Sequence, residues 1–172
     1  DSSFGTAALT SSSSKLTLSG NTTVTISGNP GSSIDIDTDG NLLAVVASGS
    51  EVQFNGKVLG GGAVWFKRGR FQARNAEFFS GAGDIHVSEA SQLQLGAAKM
   101  DIANNFFLGR VEGVDGGAAL RVGVWNGSER DVNATLSGVT TILAEGTKIG
   151  FQYGSTLDIQ RLTGSGNIDT AN

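Results

Sequence analysis

The sequence has 172 residues, 26 of them Gly, one Pro, no Cys and one His, with 12 Lys plus Arg against 16 Asp plus Glu. One Pro and no G-X-Y period exclude collagen despite the Gly excess, and without Cys there is neither a disulfide framework nor a thiolate metal site. A net charge of -4 argues against a general binder of nucleic acid or anionic membrane, and no apolar run approaches the roughly 18 residues of a spanning helix.

The chain opens Asp1-Ser2-Ser3-Phe4-Gly5, without the basic and apolar regions of a signal peptide. It reads as a mature or excised piece, a single segment over 1–172 of a longer protein. Short alternating segments then follow: Lys15-Leu16-Thr17-Leu18-Ser19, Thr23-Val24-Thr25-Ile26-Ser27, Ser33-Ile34-Asp35-Ile36-Asp37 and Glu51-Val52-Gln53-Phe54-Asn55. Asp84-Ile85-His86-Val87, Gln92-Leu93-Gln94-Leu95 and Thr156-Leu157-Asp158-Ile159-Gln160 repeat the pattern. Each sets two apolar residues two apart with polar residues between, which predicts a strand with one buried face. Gly-Asn, Asn-Pro-Gly, Asp-Gly-Asn and Gly-Gly-Gly between them supply tight turns. No stretch reads as a long helix.

Strands this short need neighbours to be stable. A β-sandwich would join seven to ten of them by hairpins. A parallel β-helix would coil them so that each apolar pair lies over the pair one turn below. The brevity of the apolar pairs, the variable turn lengths and the outward Thr, Ser, Asn and Asp favour the coil, of about seven turns at roughly 20–25 residues each. The β-sandwich is the alternative. Strands at the open ends of a coil invite edge pairing unless they are capped or continued.

Three C-terminal stretches resemble the strand repeats of bacterial autotransporter passenger domains. They are Asn133-Ala134-Thr135-Leu136-Ser137-Gly138-Val139-Thr140-Thr141-Ile142, Gly154-Ser155-Thr156-Leu157-Asp158-Ile159 and Leu162-Thr163-Gly164-Ser165-Gly166-Asn167-Ile168. Residues 15–55 are similar more loosely, through Leu-Thr-Leu-Ser-Gly and Val-Thr-Ile-Ser-Gly. The resemblance implies a right-handed parallel β-helix at a Gram-negative cell surface, whose last part assists passenger folding as an autochaperone. It also implies two partners within the full protein, the rest of the passenger and a translocator barrel. The lack of Cys fits, since a periplasmic disulfide would obstruct passage of the unfolded chain.

Few motifs suggest chemistry. Asp35-Ile36-Asp37-Thr38-Asp39-Gly40 matches the first half of a calcium loop, but its twelfth position is Val46 instead of a bidentate Glu. The expected arrangement is structural: Ile34 and Ile36 inward, Asp35 and Asp37 outward, and a turn at Asp39-Gly40-Asn41. Trp65-Phe66-Lys67-Arg68-Gly69-Arg70-Phe71-Gln72-Ala73-Arg74 is the one basic cluster. Lys67, Arg68, Arg70 and Arg74 are its candidate ligands for an anionic glycan, with guanidinium forking onto anions; alternation equally allows a core strand with solvated cations. His86 would have to serve any Ser-His-Asp triad, and no Gly-x-Ser-x-Gly elbow accompanies it, so an outward strand position is expected. Asp35 with Glu51 is one possible carboxylate pair. Gly60-Gly61-Gly62 lacks the Lys-Ser or Lys-Thr of a phosphate loop. Asn21-Thr22-Thr23, Asn126-Gly127-Ser128 and Asn133-Ala134-Thr135 are formal glycosylation triplets of the kind a Ser/Thr-rich chain contains by chance.

The expectation is a non-catalytic surface scaffold, secreted or displayed, of the adhesin or virulence-factor type. It carries no metal, cofactor or nucleic acid, and a host or surface glycan or protein is its external partner. A glycan-binding module and a polysaccharide-active β-helix enzyme are the competing classes.

Overall fold

In the segment Thr22–Ser27, Val24 and Ile26 are buried while Thr25 between them is exposed, as an alternating strand requires. What makes such strands stable is visible in the computed structural model, which describes residues 5–9, 15–27, 34–49, 51–109, 118–123, 132–152 and 154–169. Among the described residues every strand pairing is parallel, and the strands stack along three faces of a coil. The first face carries β1 (Gly5–Leu9), β3 (Thr22–Ser27), β5 (Leu43–Ser48) and the beginnings of β8 (Val64–Ala73) and β9 (Ile85–Leu95). It continues through β11 (Phe106–Leu108), β14 (Thr141–Leu143) and β17 (Leu162–Gly164). The second face carries β6 (Val52–Phe54), the ends of β8 and β9, β12 (Ala118–Val122), β15 (Lys148–Phe151) and β18 (Asn167–Asp169). The third holds β2 (Lys15–Thr17), β4 (Asp35–Asp37) and β7 (Val58–Leu59) in one stack. Its second stack is β10 (Lys99–Ile102), β13 (Asn133–Leu136) and β16 (Thr156–Ile159).

The protein is thus an all-β, right-handed parallel β-helix of about six complete turns, with partial ones at its ends. Leu43, Val64, Ile85 and Phe106 succeed one another in register at steps of 21 residues. The next step, Phe106 to Thr141, is 35 residues. Register places like over like: Val24, Val45, Phe66, Val87, Leu108 and Leu143 form one inward column. Val52, Phe71, Leu93, Leu120 and Ile149 form another. All of these side chains are buried, at roughly 1.5–3 kcal/mol for each large one.

Three features depart from simple alternation. Asp84–Val87 and Gln92–Leu95, expected as separate strands, are the two ends of β9, which rounds the corner between faces without a break. The basic stretch is also a corner-rounding strand, β8, whose register shifts between Phe66 and Arg68. Gly69 stands at that bend with φ 106°, and a Cβ there would strike the Ala47 side chain. Finally, between β7 and β10 the third face is built by a turn, which drives Phe78 and Phe79 into the core. With Phe54, Phe66 and Phe71 they form an aromatic cluster, Phe54–Phe78 and Phe78–Phe79 having centroids 5.0 and 4.7 Å apart.

At the Asp-rich loop the expected orientations hold. Ile34 and Ile36 are buried, and Asp39 (φ 48°) and Gly40 (φ 75°) turn the chain. Thr38, just before this turn, is fully buried; its Oγ1 donates to the Leu59 carbonyl and accepts from the Gly62 N–H, both at 2.8 Å. Gly62 can approach that hydroxyl only because it lacks a Cβ, which would meet the Asn41 carbonyl. Thr38→Val keeps the shape but strands the buried Gly62 N–H, while the Leu59 carbonyl still accepts from the Thr38 N–H, so it should lower stability by about 1–3 kcal/mol in urea titration. Thr25→Val, at an exposed site, should stay within about 0.5 kcal/mol.

Candidate functional site

Folding divides the basic cluster. Phe66 and Phe71 are buried in the core, and Trp65 faces outward. Lys67, at the register shift, lies over the Trp65 ring with Nζ 4.5 Å from its centroid, a contact worth about 0.5–1 kcal/mol at an exposed site. Arg68 is exposed at the corner. Arg70 is carried round to the second face, and Arg74, just past the end of β8, donates from Nη1 to Gln72 Oε1 at 3.3 Å. Lys67 and Arg68 therefore stand apart from Arg70 and Arg74.

The second face contains a cleft of about 310 Å³ that includes Arg70. Its axis is the outward column Gln53, Gln72, Gln94 and Arg121, contributed by four successive turns. Glu51 and Arg70 border it on one side and Gln152 on the other. Gly150 pairs with Arg121 one turn on, so no side chain continues the outward column over Arg121. Gln72 and Gln94 are each 5% exposed. Gln72 Nε2 donates to Gln94 Oε1 at 2.9 Å, and Gln94 Nε2 donates to Gln92 Oε1 at 3.1 Å, so the amides are fixed in a chain. Sequence reasoning found Arg70 here and missed Gln53, Gln72, Gln94, Arg121 and Gln152. The separations of 19, 22 and 27 residues along Gln53, Gln72, Gln94 and Arg121 depart from the 21-residue step of the first face, so no fixed period reveals the column.

The outward column on the first face is Trp65, His86, Phe107 and Ile142. His86 faces outward as expected, but it is half-buried and stacked on Phe107, with centroids 4.7 Å apart and planes 10° apart. His86 and Phe107 spend one face each on the other, and Lys67 covers the Trp65 ring, which is poor geometry for stacking a sugar. The nearby Ser88 hydroxyl bonds to the Phe66 and Lys67 carbonyls at 3.1 and 2.8 Å.

The carboxylates are mostly structural. Asp35 accepts from the Lys57 N–H at 2.9 Å, while Asp37 accepts from the Asp39 N–H at 3.2 Å and pairs with Lys15 at 3.4 Å. Asp35 belongs to the third face and Glu51 to the second, so the fold does not join them as a catalytic pair. Glu77, hydrogen-bonded to Lys57 and adding its charge, holds that ammonium above the ordinary lysine value. Among the triplets, Asn21 Oδ1 accepts from the Leu42 N–H at 2.9 Å and Asn133 Oδ1 from the Thr156 hydroxyl at 2.6 Å; Asn126-Gly127-Ser128 lies outside the described residues.

No family model matches this sequence, and neither curated proteins nor solved structures yield a match. Function has to be argued from the coil and its faces.

Proposed function

We propose that this chain is a non-catalytic β-helical segment of a secreted or surface-displayed Gram-negative protein of the autotransporter passenger kind. It serves as a scaffold, and its C-terminal turns assist the folding of those before them. The observation that carries this reading is the unbroken inward column from Val24 to Leu143, which joins successive turns into one coil. Such a coil is extended and lengthens by adding turns, the form that holds other parts of a protein away from a membrane.

The test is to express the complete parent reading frame in a Gram-negative host and label intact cells with an antibody raised against residues 51–109. Surface labelling that disappears when a downstream barrel is removed is the expected result. Labelling only after lysis, or display independent of any barrel, would overturn the proposal.

A further inference from the structure

The cleft on the second face has a lining with definite chemistry. Among the described residues it presents amides, two guanidinium groups and one carboxylate, with no aromatic ring and no aliphatic wall. The net charge of -4 disfavours nucleic acid, which needs a basic field. Nor does the cleft suit an extended peptide: its floor is the side-chain face of paired strands, with no open edge to bond a peptide backbone. What remains complementary is a chain of hydroxyls and amides with occasional carboxylates. Each floor amide spends one N–H on its neighbour and keeps a second N–H, and each Arg carries five N–H donors.

Spacing narrows the class. Arg70 and Arg121 stand on β8 and β12, two strand steps apart through β9, or about 10 Å along the coil; since Arg70 pairs with Gln92 and Arg121 with Gln94, they are also offset by about 7 Å along the strands. The component along the coil is about the length of one disaccharide unit. Glu51 beside Arg70 penalises a ligand that is charged at every sugar. We propose that this cleft binds an acidic oligosaccharide in which a uronate alternates with a neutral sugar. The two guanidinium groups fork onto successive carboxylates, while Gln72 and Gln94 hydrogen-bond the sugar between them. Because Gln72 and Gln94 are nearly buried and already tethered, little side-chain freedom is lost on binding. The proposal is independent of the scaffold reading, and it relocates the anion site expected at Lys67, Arg68, Arg70 and Arg74 to Arg70 and Arg121.

Calorimetry with a hyaluronan hexasaccharide, a neutral chitin hexasaccharide, heparin and poly-glutamate tests it. Binding of the first at least tenfold tighter than the others is expected, weakening as salt is raised. Arg121→Ala should weaken it at least tenfold, Arg121→Lys less, and Lys99→Gln, exposed on the third face, less than twofold. Amide shifts in the unaltered protein should centre on Gln72, Gln94 and Arg121, a readout that holds even if Arg121→Ala fails to fold. No binding of the hexasaccharide, equal binding of the neutral sugar, tighter binding of heparin or poly-glutamate, or shifts centred elsewhere would each overturn the assignment.

Discussion

Replacing Ile26 by Asp is expected to unfold the coil or to cost at least about 4 kcal/mol, most of the stability of an ordinary domain. Ile26 is 1% exposed and lies in register between Leu9 and Ala47 of the turns on either side. A carboxylate there loses water on every side and gains no partner. Thr25→Asp, one residue away on the exposed side of the same strand, should cost less than about 1 kcal/mol. Urea titration followed by far-ultraviolet circular dichroism ranks the two. A larger loss at Thr25 would reverse the assignment of inside and outside. Leu157, although read from sequence as an equivalent core position, is only half-buried because β16 has no further strand beyond it in its stack. Leu157→Asp should therefore fall between the two.

The fold was legible wherever one strand occupied one face. Val24 with Ile26, Ile34 with Ile36, and Leu93 with Leu95 alternate cleanly, and all are buried. Legibility failed at the corners. In β8 the register shift near Lys67 puts Phe66 and Phe71 inward at an odd spacing, so the segment presents itself as a mixture of cations and aromatics. In β9 the bend through Ser88 and Ser91 interrupts the alternation and splits one strand into two apparent ones. Leu43–Ser48 hides its strand differently: Ala44 lies on the outward column but is buried next to Trp65, so an apolar residue occupies what alternation reserves for a polar one. Phe78 and Phe79 reach the core from a turn, which no strand pattern reports. The cleft was the least legible feature. Gln53, Gln72, Gln94 and Arg121 become neighbours only through pairing, and their separations of 19, 22 and 27 residues vary because the turns between them differ in length.

Removing residues 133–172 should unfold the turns next to the cut while sparing those farther away. The deletion takes β13 to β18 and uncovers one side of Met100, Ile102, Phe106, Leu108, Leu120 and Val122. Half-exposing six such side chains at about 1 kcal/mol each removes on the order of 6 kcal/mol, comparable to the stability of a whole small domain. In a coil each turn touches only its neighbours, so the loss is local at first and spreads by fraying. Hydrogen exchange should therefore show protection lost across β9 to β12 and largely kept in β3 and β5. Refolding should slow as well, because a parallel strand needs an ordered neighbour before its long loop closure is rewarded. Protection and refolding unchanged by the deletion would remove the folding role of the C-terminal turns and leave a plain stalk. Equal loss in β3 and β10 would instead mean that the coil folds as one cooperative unit. In that case the C-terminal turns would be required for the whole structure and not only for the turns they touch.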